Sequence, residues 1–374
     1  MTDRIQRILV YGAGPLGSLL AARLHEAGHD VAILARGERL AQIKDRGIVL
    51  EDEETGRQEV AHVPVVEALD PEDRYDLVMV VMRHNHVDAI LPTLAANRHV
   101  PTVLFMMNNT HGAGPLVDAL GAQRVLLGFP LPGGHRDGDV VRIVPVDEDH
   151  PYSLPIGEAD GIVRERTRAV AEVLTTMRGY DVDLRSDMEA WLQYHACVTI
   201  LALGPAVCAA GIDMERLART RDLQLLALRA MQQAFRGLRK DLGVPPAPRS
   251  FRALELLPEP IWVWLLSRVM RQGHAGASIE GHSAAARDEV AHVGEELLAQ
   301  LRAAGAEVSV IEQLLPYAEP DAELWPDGSR ELPMHWAGLA VPMGTLLSAG
   351  LGLLFLRRRR ARRGQPAPAT PSRG

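Results

Sequence analysis

The sequence predicts an α/β fold for its first half, a Rossmann-like parallel sheet covered by helices over residues 1–185. An all-helical second domain over residues 186–318 and a C-terminal apolar segment follow. Three observations predict this. Short continuous apolar runs alternate with helix-spaced stretches as far as about residue 130, as strands buried on both faces require. From Ser186 onward long helical patterns take over. Ala337–Leu356 then runs for 20 residues without a charge.

The first strand is Ile8–Tyr11, followed by a helix over Leu16–Ala27 that stops at Gly28. Asp30–Leu34 is the second strand, and Asp76–Met82, Thr102–Met107 and Val125–Phe129 are further ones. Gly133–Val146, rich in Gly and Val, reads as a hairpin or sheet edge. Helical spacing then covers Ser186–Ala210, Asp213–Leu242, Pro260–Arg271 and Ser278–Ala304, with Pro245, Pro246 and Pro248 breaking the pattern between two of them. Residues 319–336, with Pro320, Pro326, Gly328 and Pro333, read as a linker. No internal repeat is visible.

Hydrophobic residues make up 47% of the 374, enough for ordinary cores. The two cysteines, Cys197 and Cys208, share one apolar helical stretch and are expected to be buried, reduced and structural, which points to the cytosol. The opening MTDRIQRILVYGAG passes from a short polar lead straight into a strand, without the layout of a secretory signal. Net charge is −8, but residues 357–374 carry seven Arg and no acid, which leaves −15 on residues 1–356. So acidic a body argues against nucleic-acid binding.

The strongest motif is Gly12-Ala13-Gly14-Pro15-Leu16-Gly17, between a strand and a helix. Gly12 permits a tight turn, Gly14 lets the backbone approach a pyrophosphate, and Gly17 lets the helix pack on the strand. The helix N-terminus then offers free N–H groups and positive dipole to phosphate. An incidental glycine-rich turn is the competing reading, and the alternating strands and helices around the motif weigh against it. At the end of the second strand, where an NAD-binding domain usually carries Asp or Glu for the ribose 2′-hydroxyl, stands Arg36, with Arg39 nearby. A guanidinium suits a 2′-phosphate, so the expected cofactor is NADP, although Glu38 is close and Arg36 could be a solvated loop residue. Asn108 ends an apolar strand at the carboxyl edge of the sheet, where ligands bind in such folds.

The segment RILVYGAGPLGSLLAARLHEAGHDVAILARGERLAQIKDRGIVL resembles the start of the ketopantoate reductase (2-dehydropantoate 2-reductase) family. The resemblance extends from residue 7 to about 318, through Asn108 in FMMNNTHG, the stretch LLGFPLPGGHRDGDVV, and Glu289 in AARDEVAHVGEELL. It implies an active site in the cleft between the two domains and reduction of a 2-oxo acid to a 2-hydroxy acid with NADPH. The sequence departs from the family at two places. Where the family has a strand-end Lys in a motif like VKAYQ, this chain has Val81-Met82-Arg83-His84-Asn85-His86, in which Arg83 keeps the charge for cofactor binding but not the ammonium geometry. Where the family has Trp-x-Lys-x-x-x-Asn, with Lys as general acid, this chain has Trp191-Leu192-Gln193-Tyr194-His195-Ala196-Cys197. By that register Gln193 replaces the acid and Cys197 its Asn partner.

Hydride delivery to a carbonyl builds negative charge on oxygen, and Gln can donate a hydrogen bond there but no proton at neutral pH. Loss of a general acid typically costs about 10²–10⁴-fold. His195 titrates near neutrality but lies about 200° round the helix from Gln193, while Tyr194 lies about 100° away. His282 and the Arg287-Asp288-Glu289 cluster belong to the last helix, where the resemblance places a substrate-binding Glu, and His84 and His86 lie near the expected nicotinamide end. For each of these histidines the competing reading is a polar side chain bonded to backbone or solvent.

Ala337–Leu356 is long enough to cross a bilayer, and an Arg cluster follows it at once. Such a cluster normally stays on the cytoplasmic side, as should the nucleotide domain, so a single span conflicts with the charge bias. A tail anchor that violates the bias, a segment that enters and returns with the arginines on anionic headgroups, and an apolar helix packed on protein all satisfy the pattern. The expectation is membrane association through residues 337–374, a disordered Arg-rich tail over 357–374, and a homodimer through the helical domain. Two functions follow: an NADPH-dependent reductase of a 2-oxo acid-like carbonyl other than ketopantoate, or a catalytically silent, membrane-associated NADP(H)-binding sensor or scaffold.

Overall fold

A computed structural model describes residues 5–146, 149–270 and 287–335. The segments 337–356 and 357–374, His282 and the first part of the helix expected over Ser278–Ala304 lie outside the described residues. The chain opens on strand β1 (Arg7–Tyr11), helix α1 (Pro15–Glu26), β2 (Asp30–Leu34) and α2 (Gly37–Arg46). The remaining strands of the main sheet are β5 (Val65–Val66), β6 (Leu77–Val80), β7 (Thr102–Met106), β8 (Val125–Gly128), β11 (Tyr152–Gly157) and β12 (Tyr180–Leu184). Their order is β12-β11-β8-β7-β6-β1-β2-β5, parallel throughout except for the β11–β8 pair. All four residues of β6 and all four of β8 are buried, as expected of strands covered on both sides. Separate apolar clusters fill the two faces, one centred on Ile8, Leu20 and Met79 and the other on Leu9, Val78 and Phe105.

From β1 the chain first builds outward through β2 to β5, then crosses back to β6 on the other side of β1. The carboxyl ends of β1 and β6 therefore flank the point where strand order reverses, where an open α/β sheet leaves a crevice. A four-stranded second sheet, β4 (Gln58–Ala61), β3 (Ile48–Asp52), β10 (Val140–Ile143) and β9 (Gly134–Asp137), packs beside α1. The hairpin expected within Gly133–Val146 forms β9 and β10, and β3 and β4 extend it. Those two were not legible as strands, because β4 reads QEVA with no buried residue and β3 ends in Glu51-Asp52.

The second half is helical: α6 (Met188–Val198), α7 (Gly204–Ala209), α8 (Met214–Arg219), α9 (Arg221–Lys240), α10 (Phe251–Glu255), α11 (Glu259–Met270), α12 (Arg287–Ala303) and α13 (Ser309–Leu314). Its own core runs from Tyr194 through Phe235 to Leu315. The single helix expected over Ser186–Ala210 is interrupted by a π-turn at Thr199–Leu203. Pro205 offers no N–H to the helical ladder, and a Cβ on Gly204 would lie 2.7 Å from the Thr199 carbonyl oxygen. The run Met188–Ala209 is apolar and long enough to cross a membrane, but 72% of it is buried inside the protein, as in a core helix. The helix expected over Asp213–Leu242 breaks at Thr220, whose ψ of 89° leaves the helical region.

Residues 319–335 do not act as a spacer. The Trp325 N–H donates to the Ala209 carbonyl (2.9 Å), Arg219 grips Asp327 through two 2.8 Å bonds, and Asp222 accepts from the N–H groups of Glu331 and Leu332. The segment straps the outside of α8, α9 and α11. Its prolines and glycine suggested a linker, but the partners that hold it lie about a hundred residues earlier in the chain, beyond any local pattern.

Candidate active site

The loop after β1 forms the floor of the crevice. Gly12 has φ +122°, and a Cβ there would lie 2.4 Å from the Val81 carbonyl oxygen at the end of β6. A Cβ on Gly17 would lie 1.9 Å from the Gly12 carbonyl oxygen, so Gly17 is what lets α1 start this close to β1. Gly14 is different: a Cβ there would meet nothing within 4 Å. The space over Gly14 is part of a cavity of about 290 Å³, and the N-terminal turn of α1 begins beside it, with Pro15 and Leu16 in its first turn. Gly12, Ala13 and Gly14 line this cavity together with Arg36, Arg39 and Arg136.

The three guanidinium groups are held differently. Arg36 donates to the Tyr11 hydroxyl (3.1 Å). Arg39 is buried and donates to Ser18 Oγ (3.1 Å) and to the Asp139 carbonyl (3.0 Å), and burial, together with nearby Arg136, pulls its pKa below the usual value. Arg136 comes from β9, a hundred residues further along the chain. Sequence reasoning did not find it, because only the pairing of the β9–β10 hairpin with β3 carries it here.

The opposite wall comes from the ends of β6 and β7 and the start of α12. Asn108 is buried, and its Nδ2 donates to Glu289 Oε1 (3.1 Å). The same oxygen accepts a longer bond from the His84 backbone N–H (3.4 Å). Glu289 thus ties both strand ends to the helical half. Arg83 forms a bidentate pair with Asp288 on the same turn of α12 (2.7 and 2.8 Å). The structure places Arg83 as a clasp across the cleft, not on the wall of the dinucleotide cavity.

Gln193 lies on α6 and donates from Nε2 to the Thr110 carbonyl (3.2 Å), so its amide faces the loop that carries Asn108. Cys197, one turn further along, is fully buried in the helical core, where burial pushes its thiol well up and keeps it neutral. Cys208 is likewise a free, buried thiol. His195 stacks on Trp191 (4.8 Å between ring centroids, 10° between planes) and packs against Phe129 (4.3 Å). It belongs to an aromatic cluster rather than to the Asn108–Glu289 wall. His86 is exposed.

Four buried oxygens in this region, Asn85 Oδ1, Asn108 Oδ1, Asn109 Oδ1 and Thr110 Oγ1, have no hydrogen-bond partner among the described residues. A buried polar atom without a partner costs about 1–3 kcal/mol, and such atoms are few in a folded chain. Three of them belong to consecutive residues, Asn108 to Thr110, in the loop whose Thr110 carbonyl accepts from Gln193.

A largely parallel sheet with a glycine turn at its switch point, joined to an all-helical domain, defines a two-domain protein built on a dinucleotide-binding fold. Known proteins resemble this arrangement. Residues 8–144 match the family described as Ketopantoate reductase PanE/ApbA. The 2-dehydropantoate 2-reductase of Archaeoglobus fulgidus is 30% identical over 207 residues, which are 55% of this chain and 65% of that protein. The match thus spans just under two thirds of that relative. Among solved structures, a D-mandelate dehydrogenase with NADH and anilino(oxo)acetate superposes with a TM-score of 0.65 at 15% identity, covering 84% of this chain and 97% of that one. A 2-dehydropantoate 2-reductase from Geobacter metallireducens gives 0.63 at 18%, covering 83% and 98%. Residues 8–144 are thus similar to the ketopantoate reductase family, and the whole described chain shares the two-domain fold of these solved structures.

Proposed function

We propose that this protein is an NADPH-dependent oxidoreductase that reduces a 2-oxo acid-like carbonyl other than ketopantoate. The observation that carries the reading is that one cavity is lined both by the glycine turn Gly12-Ala13-Gly14 and by Arg36, Arg39 and Arg136. The residues fit a dinucleotide: the open space over Gly14 admits a pyrophosphate against the N-terminus of α1, and the arginines suit a 2′-phosphate. When bound, the reduced nicotinamide supplies a hydride, which adds to the carbonyl carbon while the oxygen takes the displaced electron pair and then a proton.

The chain's own groups bind and orient. Asn108, held by Glu289, keeps a free amide oxygen toward the cleft. Gln193 offers an N–H in place of an acid, so it can polarise a carbonyl oxygen but not protonate it, and the proton comes from water or a second group. Arg83 and Asp288 hold the two walls together. Domain assignments of 1–185 to the nucleotide and 186–318 to substrate and self-association belong to the same proposal.

The test is NADPH and NADH binding by fluorescence, followed by turnover against 2-oxo acids, ketones and imines. Tighter NADPH binding with carbonyl-dependent oxidation supports the reading. Binding without turnover supports the second one, a silent NADP(H)-binding protein, which the Gln at position 193 favours. No binding refutes both.

A further inference from the structure

Beside the Asn108–Glu289 wall lies a group of side chains to which the mechanism gives no part. His84, His111 and Glu296 bring one donor atom each to within 4.8 Å of one another. His84 Nε2 is 3.3 Å from Glu296 Oε2, and His111 Nδ1 is 3.6 Å from the same oxygen. His84 opens a short 3-10 turn after β6, His111 lies in the loop after β7, and Glu296 lies two turns along α12 from Glu289. The two imidazoles lie nearly parallel, 12° apart, with ring centres at 6.2 Å. Glu296 Oε2 is buried, yet it accepts no hydrogen bond among the described residues. Neither imidazole nitrogen is set to donate to it.

We propose that His84, His111 and Glu296 bind a divalent transition-metal ion of the zinc class. Two imidazoles and one carboxylate are a ligand set that such ions take when a position is left open. Zinc bonds of about 2.0–2.2 Å put neighbouring ligand atoms of a tetrahedron about 3.3–3.6 Å apart. The two nitrogen–oxygen separations match that edge, whereas a hydrogen-bonded His–Glu pair closes to about 2.7–2.9 Å. His292 Nε2 stands 3.2 Å from the other Glu296 oxygen and orients the carboxylate from outside. His111 is half exposed, so the open position reaches solvent at the cleft mouth. The ion carries a consequence that rests on the reductase reading: its charge sits one residue from Thr110, beside the Gln193 amide, where hydride delivery makes a carbonyl oxygen negative and Gln193 cannot neutralise it.

Full-length, tag-free protein is stripped with a chelator, and Zn²⁺ and Co²⁺ uptake is measured by equilibrium dialysis and, for Co²⁺, by visible absorption. The wild type is expected to bind one ion per chain. His111→Ala and the near-isosteric Glu296→Gln should each weaken uptake by more than about 100-fold, since even outer-shell substitutions cost 10–100-fold. Unchanged NADPH affinity in the variants shows that they are folded. A wild type that takes up no ion overturns the proposal, as does uptake that survives both variants. Uptake is read without substrate, so the metal site and the reductase reading fail separately: an ion bound without turnover refutes only the latter.

Discussion

Gly14 and Gly17, three residues apart, make opposite predictions, although sequence treats them as one motif. A methyl group on Gly17 would arrive 1.9 Å from the Gly12 carbonyl oxygen, so backbone must move by more than 1 Å before contact becomes tolerable. Gly17→Ala should gain about 1 kcal/mol of helix propensity, because position 17 lies inside α1. Against this stands an overpacking cost of about 1–3 kcal/mol or more, and here the obstacle is backbone rather than a flexible side chain. The clash wins, with net destabilisation of about 1–2 kcal/mol, or roughly 2–8 °C in Tm for a domain of this size. A Cβ at Gly14 meets no atom within 4 Å and the open cavity lies over it, so Gly14→Val should keep Tm within about 1 °C. The branched side chain instead fills the cradle, and NADPH affinity should fall at least about 100-fold. Differential scanning fluorimetry without ligand and NADPH fluorescence titration separate the two. A Gly14→Val variant that binds NADPH like the wild type would refute a pyrophosphate site at this turn. A Gly17→Ala variant as stable as the wild type would refute the close approach of α1 to β1.

Arg36→Ala should weaken NADPH by about 10–100-fold and leave NADH nearly unchanged, since a charge-assisted bond contributes about 1.5–3 kcal/mol, and Arg136→Ala should act in the same direction; equal loss for both cofactors in titrations would show that neither residue reads the 2′-phosphate. Gln193→Lys alone should raise kcat/KM for ketopantoate by at least about tenfold, but adding Cys197→Asn should cost about 1–3 kcal/mol in urea melts, because that site lies in an apolar core with no partner for an amide. Glu259→Ala should lower stability at pH 7 by about 3 kcal/mol in urea melts, as it breaks a nearly buried pair with Arg229 (2.7 and 3.0 Å). Burial pushes the Glu259 carboxyl up, but Arg229 and His335 outweigh it and hold the group below its usual value. The wild type's advantage is therefore present above about pH 4.5 and lost as pH falls through the lowered pKa, and a gap as large at pH 3 as at pH 7 would contradict that sign.

The parts of the fold legible in sequence were those set by local pattern. Ile8–Tyr11, Asp30–Leu34 and Thr102–Met106 are unbroken apolar runs because both of their faces are covered, and helices must fill the gaps between parallel strands. The glycine turn was legible because each glycine answers a different steric demand within six residues. The second sheet was not, since β4 reads QEVA with no buried residue and β3 has only three apolar residues before Glu51-Asp52. The strap over residues 319–335 was not either, because side chains that hold it, such as Arg219, Asp222, Arg229 and Glu259, lie far earlier in the chain on α8, α9 and α11.

The site divides along the same line, and the division bears on its chemistry. Asn108 was expected at the carboxyl edge of the sheet and Glu289 on the last helix, and one 3.1 Å bond joins them. Arg136, His111 and Glu296 carry no motif, because a site assembled from three strand ends and one distant helix leaves no fixed spacing in the sequence. By the resemblance, Gln193 stands where the family's acid and Cys197 where its Asn partner would be found; read by register they look like one altered unit, and the structure separates them. Gln193 still faces the cleft, bonded to the Thr110 carbonyl, while Cys197 has passed into the core. Restoring the lysine therefore tests the cleft, whereas restoring its partner tests only the packing. On the proposed reading, an amide at position 193 would polarise a carbonyl without protonating it, and the proton and the compensating charge would then come from elsewhere. The Gln193→Lys and metal-uptake experiments address those two separately.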